Sequence, residues 1–497
     1  MPTTRRALAA APALVAAGLA LYAYRELPGR PFAADDYQWL LNVRGQAPGE
    51  LLARAFDASA QTHFFRPLVW LLIWGQVRLF GLDPAPFHAV SLGLHLLNAL
   101  LLALLIWRLS RMHTAHGTLP QSNAAFILPC AVCISFVALH PAPFEAVVWV
   151  SAQSELLAAA LLLAAMHLWL PAHSEQPAAH PGPWRPLLAT CALALALLTK
   201  ESAVIGAGLL LLLPAGGAPG IARRIARAAP PLLVTAAYLA FQAEMLARNE
   251  VVRGAGYGLG PQLLLNPLRT LGLVAAPLPG TQYGDAPWLP IAGGALMALW
   301  IVDCGLWISR GGGGAICYAK LALAVLLTLL PTAPFASPPD SRYTYLPVLA
   351  VAALLAWRAA AVGHGLEGAT SNIHKLPSKL PMALVAGTAF LLLAWWAAGE
   401  VSAREARFAA ATGPGGSLWH LAAAECAAAR PSRVILVEPP LAPPHAEAIV
   451  RLACGEKTRP LVVGRDGVED ALRPNALVIA FPGGSARVEQ RTANGER

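Results

Sequence analysis

The chain has 497 residues, of which 57% are hydrophobic and only 13% charged, with a net charge of +9 and a mean hydropathy of +0.54. Soluble domains carry about 25% charged residues, so this composition excludes an ordinary soluble protein and indicates a polytopic membrane protein. Because Lys and Arg concentrate in the cytoplasmic loops of such proteins, the positive charge informs topology and does not indicate a nucleic-acid partner.

The N-terminus has Arg5 and Arg6 ahead of an apolar run that ends in two tyrosines. A cleaved signal sequence is one alternative, but the long run and its interfacial tyrosines favour an uncleaved first span. With both arginines in the cytoplasm, this span delivers the adjacent Asp35 and Asp36 to the outer face. Two adjacent carboxylates have a simple explanation as solvated charges of a loop. The alternative is that they take part in catalysis.

The apolar segment 67–81 contains Arg78 and is short for a span, so we expect a helix that lies in the membrane interface. This placement puts every basic loop in the cytoplasm. A second external interfacial or re-entrant helix is expected at 263–279, which contains three prolines. The sequence then predicts about eleven spans, near 7–24, 87–107, 124–139, 154–170, 186–199, 202–214, 229–246, 289–309, 316–331, 344–358 and 381–399.

The character of the chain changes after residue 400. Three short apolar runs predict buried strands, and LAPPHAEAIVRLA predicts a helix between them. We therefore expect a transmembrane domain over 1–400, a helical or linker segment over 401–430 and a small external α/β domain over 431–490. Cys426 and Cys454 in this tail can pair in an oxidising compartment, whereas the C-x-x-C in ILPCAVCISF is interpreted as buried apolar residues.

Several polar residues collect in the predicted external loops. Each has a simple explanation as a turn, a helix-terminal charge or an interfacial anchor, but ionisable groups this close to apolar runs often mark functional sites. Because all of them fall on the same predicted side of the membrane, we favour a functional site. They are Asp35, Asp36, Arg66, His140, Glu145, Gln153, Glu155, Lys200, Glu201, Arg342, Tyr343 and Tyr345.

This set suggests group transfer from a lipid-linked phosphate. A carboxylate can act as general base for a hydroxyl nucleophile or coordinate a divalent cation, and Asp35 and Asp36 are the candidate ligands if a metal is needed. Arginine and lysine can hold a phosphate as negative charge develops on it. The sequence contains no Walker loop, G-x-S-x-G or H-E-x-x-H motif, which disfavours a nucleotide-driven pump.

Four segments resemble the GT-C superfamily of polyprenyl-phosphate-sugar-dependent glycosyltransferases, in particular its TMTC-type and bacterial O-mannosyltransferase-like members. They are FFRPLVWLLIWGQVRLFGLDPAPFH (64–88), HPAPFEAVVWVSAQSELLAAALLLAA (140–165), LLTKESAV (197–204) and SRYTYLP (341–347), and they occur in the family's order. The resemblance covers about residues 1–400. It implies an all-α polytopic fold with an acidic motif in the first external loop.

The resemblance also implies roles for individual residues. Asp35 or Asp36 would be the catalytic base of an inverting displacement. The residues that would line the donor-phosphate and sugar site are His140, Glu145, Lys200, Glu201 and Arg342. The chain departs from the family at Gln153, where an arginine is usual, and in its α/β tail, which replaces TPR repeats.

We therefore expect a mannosyltransferase-like enzyme of a bacterial inner membrane. It would transfer a sugar from an undecaprenyl-phosphate carrier to a periplasmic hydroxyl acceptor, which could be a glycan, lipid or protein. Two alternatives remain open: a flippase of lipid-linked sugars, or an inactive scaffold. A flippase would usually show repeated halves, and none is evident in the sequence.

Overall fold

The computed structural model describes residues 14–60, 64–115, 124–171, 184–214, 221–248, 257–279, 284–309, 314–370 and 379–491. Arg5 and Arg6, on which the predicted topology depends, lie outside these ranges. Arg310 and Lys375, which the topology also places in cytoplasmic loops, lie outside them too. The orientation of the termini therefore stays a prediction.

The described part of the chain is mostly helical. Residues 14–23 form the described part of the first helix, α1. The next nine helices are α2 (Asp36–Val43), α3 (Pro48–Phe56), α4 (Pro67–Phe80), α5 (Pro84–Ala115), α6 (Ala124–Leu139), α7 (Phe144–Val148), α8 (Gln153–Trp169), α9 (Trp184–Leu197) and α10 (Gly206–Leu212).

The second half continues the same pattern and then changes into a mixed α/β unit. Its helices are α11 (Ile221–Arg248), α12 (Gln262–Ala275), α13 (Leu289–Ser309), α14 (Gly314–Leu329), α15 (Tyr345–Thr370), α16 (Lys379–Ala429), α17 (Pro443–Cys454) and α18 (Val468–Ala471). The strands are β1 (Arg433–Val437), β2 (Arg459–Val463), β3 (Ala476–Ala480) and β4 (Arg487–Arg491).

Three helical stretches of the described residues are long and apolar enough to cross a membrane: Pro84–Met112, Val150–Trp169 and Leu289–Leu306. Shorter apolar helices include Pro67–Phe80, Pro129–Leu139, Trp184–Leu197, Glu201–Leu212 and Ile316–Thr332. The stretch 67–81 therefore forms the short helix that the sequence predicts, and 263–279 contains α12. The count of eleven spans stays a prediction.

The tail forms a four-stranded sheet in the order β2-β1-β3-β4, parallel except for the antiparallel pair of β3 and β4. The three predicted strands and the predicted helix α17 are present, whereas β4 lacks an apolar pattern and was not predicted. Helix α16 runs through the predicted boundary at residue 400 without a break. Cys426 and Cys454 form the predicted disulfide, which joins α16 to α17.

The tail shares one hydrophobic core with the segment that follows α1. Buried Tyr37 and Leu40 of α2 belong to the same cluster as Ile449 of α17 and Leu418 of α16. Arg44, just after α2, also donates a hydrogen bond to the carbonyl of Leu452. The α/β unit is thus packed against the segment that carries Asp35 and Asp36.

Candidate active site

A cavity of about 460 Å³ opens where α2, the α7–α8 connection, the segment before α15 and the α/β tail meet. Of the twelve residues that the sequence singles out, five line it: Asp35, Arg66, Lys200, Arg342 and Tyr343. These five come from four separate segments of the chain. The remaining lining residues are Gln38, Trp39, Asn42, Arg54, Phe64, Trp70, Trp149, Ser151, Ala152 and His445.

Asp36 is buried behind the cavity and has its oxygens occupied by hydrogen bonds. The backbone N–H of Ala33 donates to Oδ2 at 2.9 Å, and the N–H of Ser151 donates to Oδ1 at 2.7 Å. The Ser151 hydroxyl also donates to Oδ1. Burial, followed by the nearby Asp35 charge, raises the pKa of Asp36 to about 7. Asp36 therefore holds the α7–α8 connection against α2.

Asp35 is the carboxylate of the pair that faces the cavity. It occupies the N-cap position of α2, but its side chain makes no capping hydrogen bond there, and its Oδ1 is buried without a hydrogen-bond partner. Burial raises the pKa of Asp35. A side-chain hydrogen bond with Ser151 and electrostatic interactions with Arg342, His445 and Arg66 act in the opposite direction. A carboxylate with a raised pKa and a free oxygen is suited to accept a proton.

The backbone just before the pair is strained. Ala34 has φ of 48°, a left-handed conformation that a residue with a Cβ rarely adopts. Such strain persists only where the surrounding structure enforces it, and it clusters at functional sites. Here it turns the chain so that Asp35 faces the cavity while Asp36 faces the protein interior.

Arg66 is the N-cap residue of α4 and forms a bidentate ion pair with Glu201. Its Nε and one terminal nitrogen lie 2.9 and 2.6 Å from the two carboxylate oxygens. Burial opposes the ionisation of Glu201, but Arg66 and Lys200 outweigh it and hold the pKa of Glu201 below its ordinary value. Both side chains are partly accessible, and the guanidinium also lies 4.6 Å from the Phe64 ring centre.

Lys200 forms a buried ion pair with Glu155. Their charged atoms are 3.1 Å apart, and the two side chains are 4% and 3% exposed. Ser202 donates a hydrogen bond of 3.2 Å to the other oxygen of Glu155. The Lys200 ammonium lies 5.5 Å from the centre of the Tyr343 ring. This pair places a positive charge at the cavity wall and balances it with a carboxylate behind the wall.

Arg342 contacts two carboxylates and two aromatic rings. It forms a 2.6 Å ion pair with Asp340 and lies 3.8 Å from Glu145, whose carboxylate also accepts the Arg342 backbone N–H. Its guanidinium lies 4.7 Å from the Trp149 ring centre and 4.9 Å from that of Tyr343. Burial raises the pKa of Glu145 to about 7, although Arg342 opposes this.

His140 does not line the cavity. Its Nδ1 accepts the N–H of Ala142, so Nε2 carries the proton and donates to the Val274 carbonyl at 3.1 Å. Burial lowers the pKa of His140 to about 4, which keeps the ring neutral at physiological pH. The structure thus places His140 as a link between the α6–α7 connection and α12.

Gln153 and Tyr345 are also away from the cavity and buried. Gln153 donates to the Phe87 carbonyl at 2.8 Å and to Ser91 Oγ at 3.0 Å, and it accepts from Gln76. The hydroxyl of Tyr345 accepts a 3.1 Å hydrogen bond from Asn98 and lies 3.1 Å from the ring of His95. Both side chains join helices, and neither faces the other predicted donor-site residues that line the cavity.

Several residues that line the cavity were not predicted, because nothing in the neighbouring sequence distinguishes them. Ser151 and Trp149 lie inside the resembling segment from 140 but were not singled out. Gln38 and Asn42 follow Asp35 at three and seven residues, a spacing that places them on one face of α2. His445 follows Asp35 by about 410 residues, and no local sequence signal connects it with the acidic pair.

The acidic pair does not provide a metal site in the described residues, where no three His, Cys, Asp or Glu side chains come close enough to hold an ion. Asp36 already accepts three hydrogen bonds, and Asp35 is surrounded by cationic side chains. A cation at the pair would need ligands from a substrate or from water, so we derive no step through a metal.

Comparison with known proteins finds similar folds among solved structures. No family model matches the chain, and no curated protein matches it. ArnT from Cupriavidus metallidurans bound to undecaprenyl phosphate is 16% identical with a TM-score of 0.45, over 97% of this chain and 94% of that chain. The archaeal oligosaccharyltransferase AglB from Archaeoglobus fulgidus, in complex with an inhibitory peptide and a dolichol-phosphate, is 12% identical with a TM-score of 0.47, over 91% and 64%.

Both of these solved structures are distant from this chain in sequence. Both identities are far below 25% and both TM-scores are below 0.5. The reaction is therefore inferred from the residues of the cavity, and the class of donor from the GT-C resemblance of the sequence.

Proposed function

We propose that the chain is a membrane glycosyltransferase of the GT-C type that transfers a sugar from an undecaprenyl-phosphate-linked donor to a hydroxyl acceptor outside a bacterial inner membrane. The observation that supports this most is the cavity itself. One carboxylate with an unpartnered oxygen, Asp35, shares it with three cations, Arg66, Lys200 and Arg342. A base beside a cationic wall matches the needs of transfer from a lipid phosphate.

In the proposed reaction Asp35 accepts the proton of the acceptor hydroxyl. The acceptor oxygen then forms a bond to the anomeric carbon from the face opposite the phosphate, so the configuration inverts. The bond between that carbon and the phosphate oxygen breaks, and its electron pair stays on the phosphate. Arg342 and Lys200 stabilise the resulting negative charge, with Arg66 as a third donor.

The ion pairs of these cations are compatible with this role. An arginine has five N–H donors and a lysine has three, so each cation keeps donors after binding its carboxylate. Glu145, with its pKa raised to about 7, is partly protonated near neutral pH and then neutralises less of the Arg342 charge. The carboxylates keep the cations in place when no phosphate is bound.

The test is transfer of radiolabel from undecaprenyl-phosphate-linked mannose or glucose by membranes that contain the full chain. We expect the wild type to move label into an acceptor and Asp35→Asn to lose at least about 100-fold of this activity. Asp285→Asn removes an exposed carboxylate elsewhere and is the matched control. Equal transfer by Asp35→Asn would refute the base. Label that crosses the bilayer without transfer would favour a flippase, and inertness of the wild type would favour a scaffold.

A further inference from the structure

The lining of the cavity divides into two groups of side chains by their contacts. The cations Lys200 and Arg342 meet at the Tyr343 ring. A separate group is centred on Trp70. The Trp70 ring packs edge-on against Trp39, with ring centres 5.9 Å apart, and the Arg54 guanidinium lies 5.4 Å from the centre of the Trp70 ring. The first group belongs to the proposed phosphate site. The second has no role in the reaction as described so far.

Two other lining residues carry both hydrogen-bond donors and acceptors. Gln38 and Asn42 share one face of α2 with Asp35, and all three line the cavity. A side-chain amide has two N–H donors and one acceptor oxygen. Amides beside indole rings are suited to a carbohydrate, since the amides pair with its hydroxyls and the rings pack on its C–H faces.

The α/β tail contributes to the lining of the cavity through His445. This residue lies in the first turn of α17, is half-buried and lines the same cavity as Asp35. Its position is fixed from three sides. Ile449 of α17 packs in one core with Tyr37 of α2, Arg44 holds the other end of α17, and the Cys426–Cys454 disulfide ties α17 to α16.

We propose that His445, with Gln38 and Asn42, forms the acceptor site for a carbohydrate hydroxyl, so that the α/β tail is part of the active site. This inference rests on the proposed function. The proposed phosphate-binding residues Arg66, Lys200 and Arg342 belong to the helical part, where a lipid-linked donor would arrive, whereas His445 belongs to the α/β tail. The acceptor hydroxyl held there is next to Asp35, which takes its proton.

The experiment uses membranes and purified full-length protein, with two measurements for each variant. The first is incorporation of label from undecaprenyl-phosphate-linked mannose or glucose into the carbohydrate fraction. The second is the rise in Tm on addition of undecaprenyl phosphate, which reports binding of the lipid phosphate and needs no acceptor. His445→Ala is compared with His420→Ala, an exposed histidine of α16 that does not line the cavity. Asn42→Ala is a second variant of the site in case His445→Ala does not fold.

We expect His445→Ala and Asn42→Ala each to lower incorporation by about tenfold or more while the Tm shift stays that of the wild type. His420→Ala should match the wild type in both. Wild-type incorporation by both site variants, or loss of the Tm shift together with incorporation, would overturn the acceptor site. Label found in protein or lipid in place of carbohydrate would overturn the acceptor class. Failure of the proposed function is distinct, since the wild type itself would then incorporate no label.

Discussion

Ser151 donates two hydrogen bonds to the same oxygen of Asp36, one from its backbone N–H at 2.7 Å and one from its hydroxyl. This relationship separates the two adjacent aspartates. The Asp36 oxygens accept hydrogen bonds from Ser151 and Ala33, whereas Asp35 lines the cavity and its buried Oδ1 has no hydrogen-bond partner. The pair is therefore one structural carboxylate and one that is available for chemistry.

Asp36→Asn should destabilise the protein more than Asp35→Asn does. An amide nitrogen in place of one Asp36 oxygen would face an N–H donor, which leaves a buried group unsatisfied and costs about 1–3 kcal/mol. The measurement is the Tm of each purified variant, with Ser151→Ala as a milder change at the same contact. An Asp36→Asn protein as stable as the wild type would show that these hydrogen bonds do not hold the loop.

Lys200→Met should be strongly destabilising, because it leaves Glu155 buried without its cation. Breaking a buried pair from one side costs about 3–5 kcal/mol, whereas replacing both partners by apolar residues is often neutral. The double variant Lys200→Met/Glu155→Leu should therefore recover most of the stability. It should not recover transfer, since the proposed phosphate ligand is still missing.

Thermal melting and the transfer assay separate the two roles of Lys200. A double variant that regains both stability and transfer would show that Lys200 acts only through its ion pair. One that regains neither would show that the pair does more than balance charge, for example by orienting the Lys200–Glu201 turn.

Glu145 should make stability fall as pH rises from about 4.5 to 7. Its pKa is raised from 4.5 to about 7, mainly by burial, so over this range the folded chain keeps a proton that the unfolded chain has lost. The free energy of unfolding then decreases by up to about 1.4 kcal/mol per pH unit for this one group. Asp36, also with a pKa of about 7, acts in the same direction.

The check is the Tm of the wild type and of Glu145→Gln at pH 5 and at pH 7.5. The amide keeps an acceptor for the Arg342 N–H but does not titrate. We expect the drop in Tm between the two pH values to be smaller in the variant. The same drop in both proteins would mean that Glu145 ionises as readily in the folded state as in the unfolded state.

Part of the lining of the candidate site could be predicted because its charges interrupt apolar sequence. Asp35, Arg66, Lys200 and Arg342 each stand out beside a hydrophobic run, and all four line one cavity. His445 could not be found in this way. It follows two prolines in an ordinary amphipathic helix, and only the packing of α17 on α2 brings it to the site.

The sequence also could not separate polar residues that do chemistry from those that join helices. Gln153 replaces an arginine that is usual in the resembling family, which suggested a changed donor contact. It is fully buried and bonded to Phe87, Ser91 and Gln76. At the level of pattern, a polar residue that satisfies its neighbours in a core looks the same as one that binds substrate.

The Cys426–Cys454 disulfide predicts how many thiols of the chain react before reduction. The chain has seven cysteines, and the five outside this bond are thiols that form no disulfide: Cys130, Cys133, Cys191, Cys304 and Cys317. Unfolded in detergent without reductant, the protein should take up five maleimide groups, and after reduction it should take up seven. The gel shift with a polyethylene-glycol maleimide measures this count directly.

Cys454→Ser is the control, because it frees Cys426 and should give six modified thiols with or without reductant. Disulfides persist in oxidising compartments, so five reactive thiols in cell-derived protein would support a tail outside the cytoplasm, and seven would contradict it. The bond spans 28 residues and should contribute roughly 3–4 kcal/mol by restricting the unfolded chain. Since it ties α17 to α16, its loss should also loosen the helix that carries His445, and transfer should then fall further than undecaprenyl phosphate binding does.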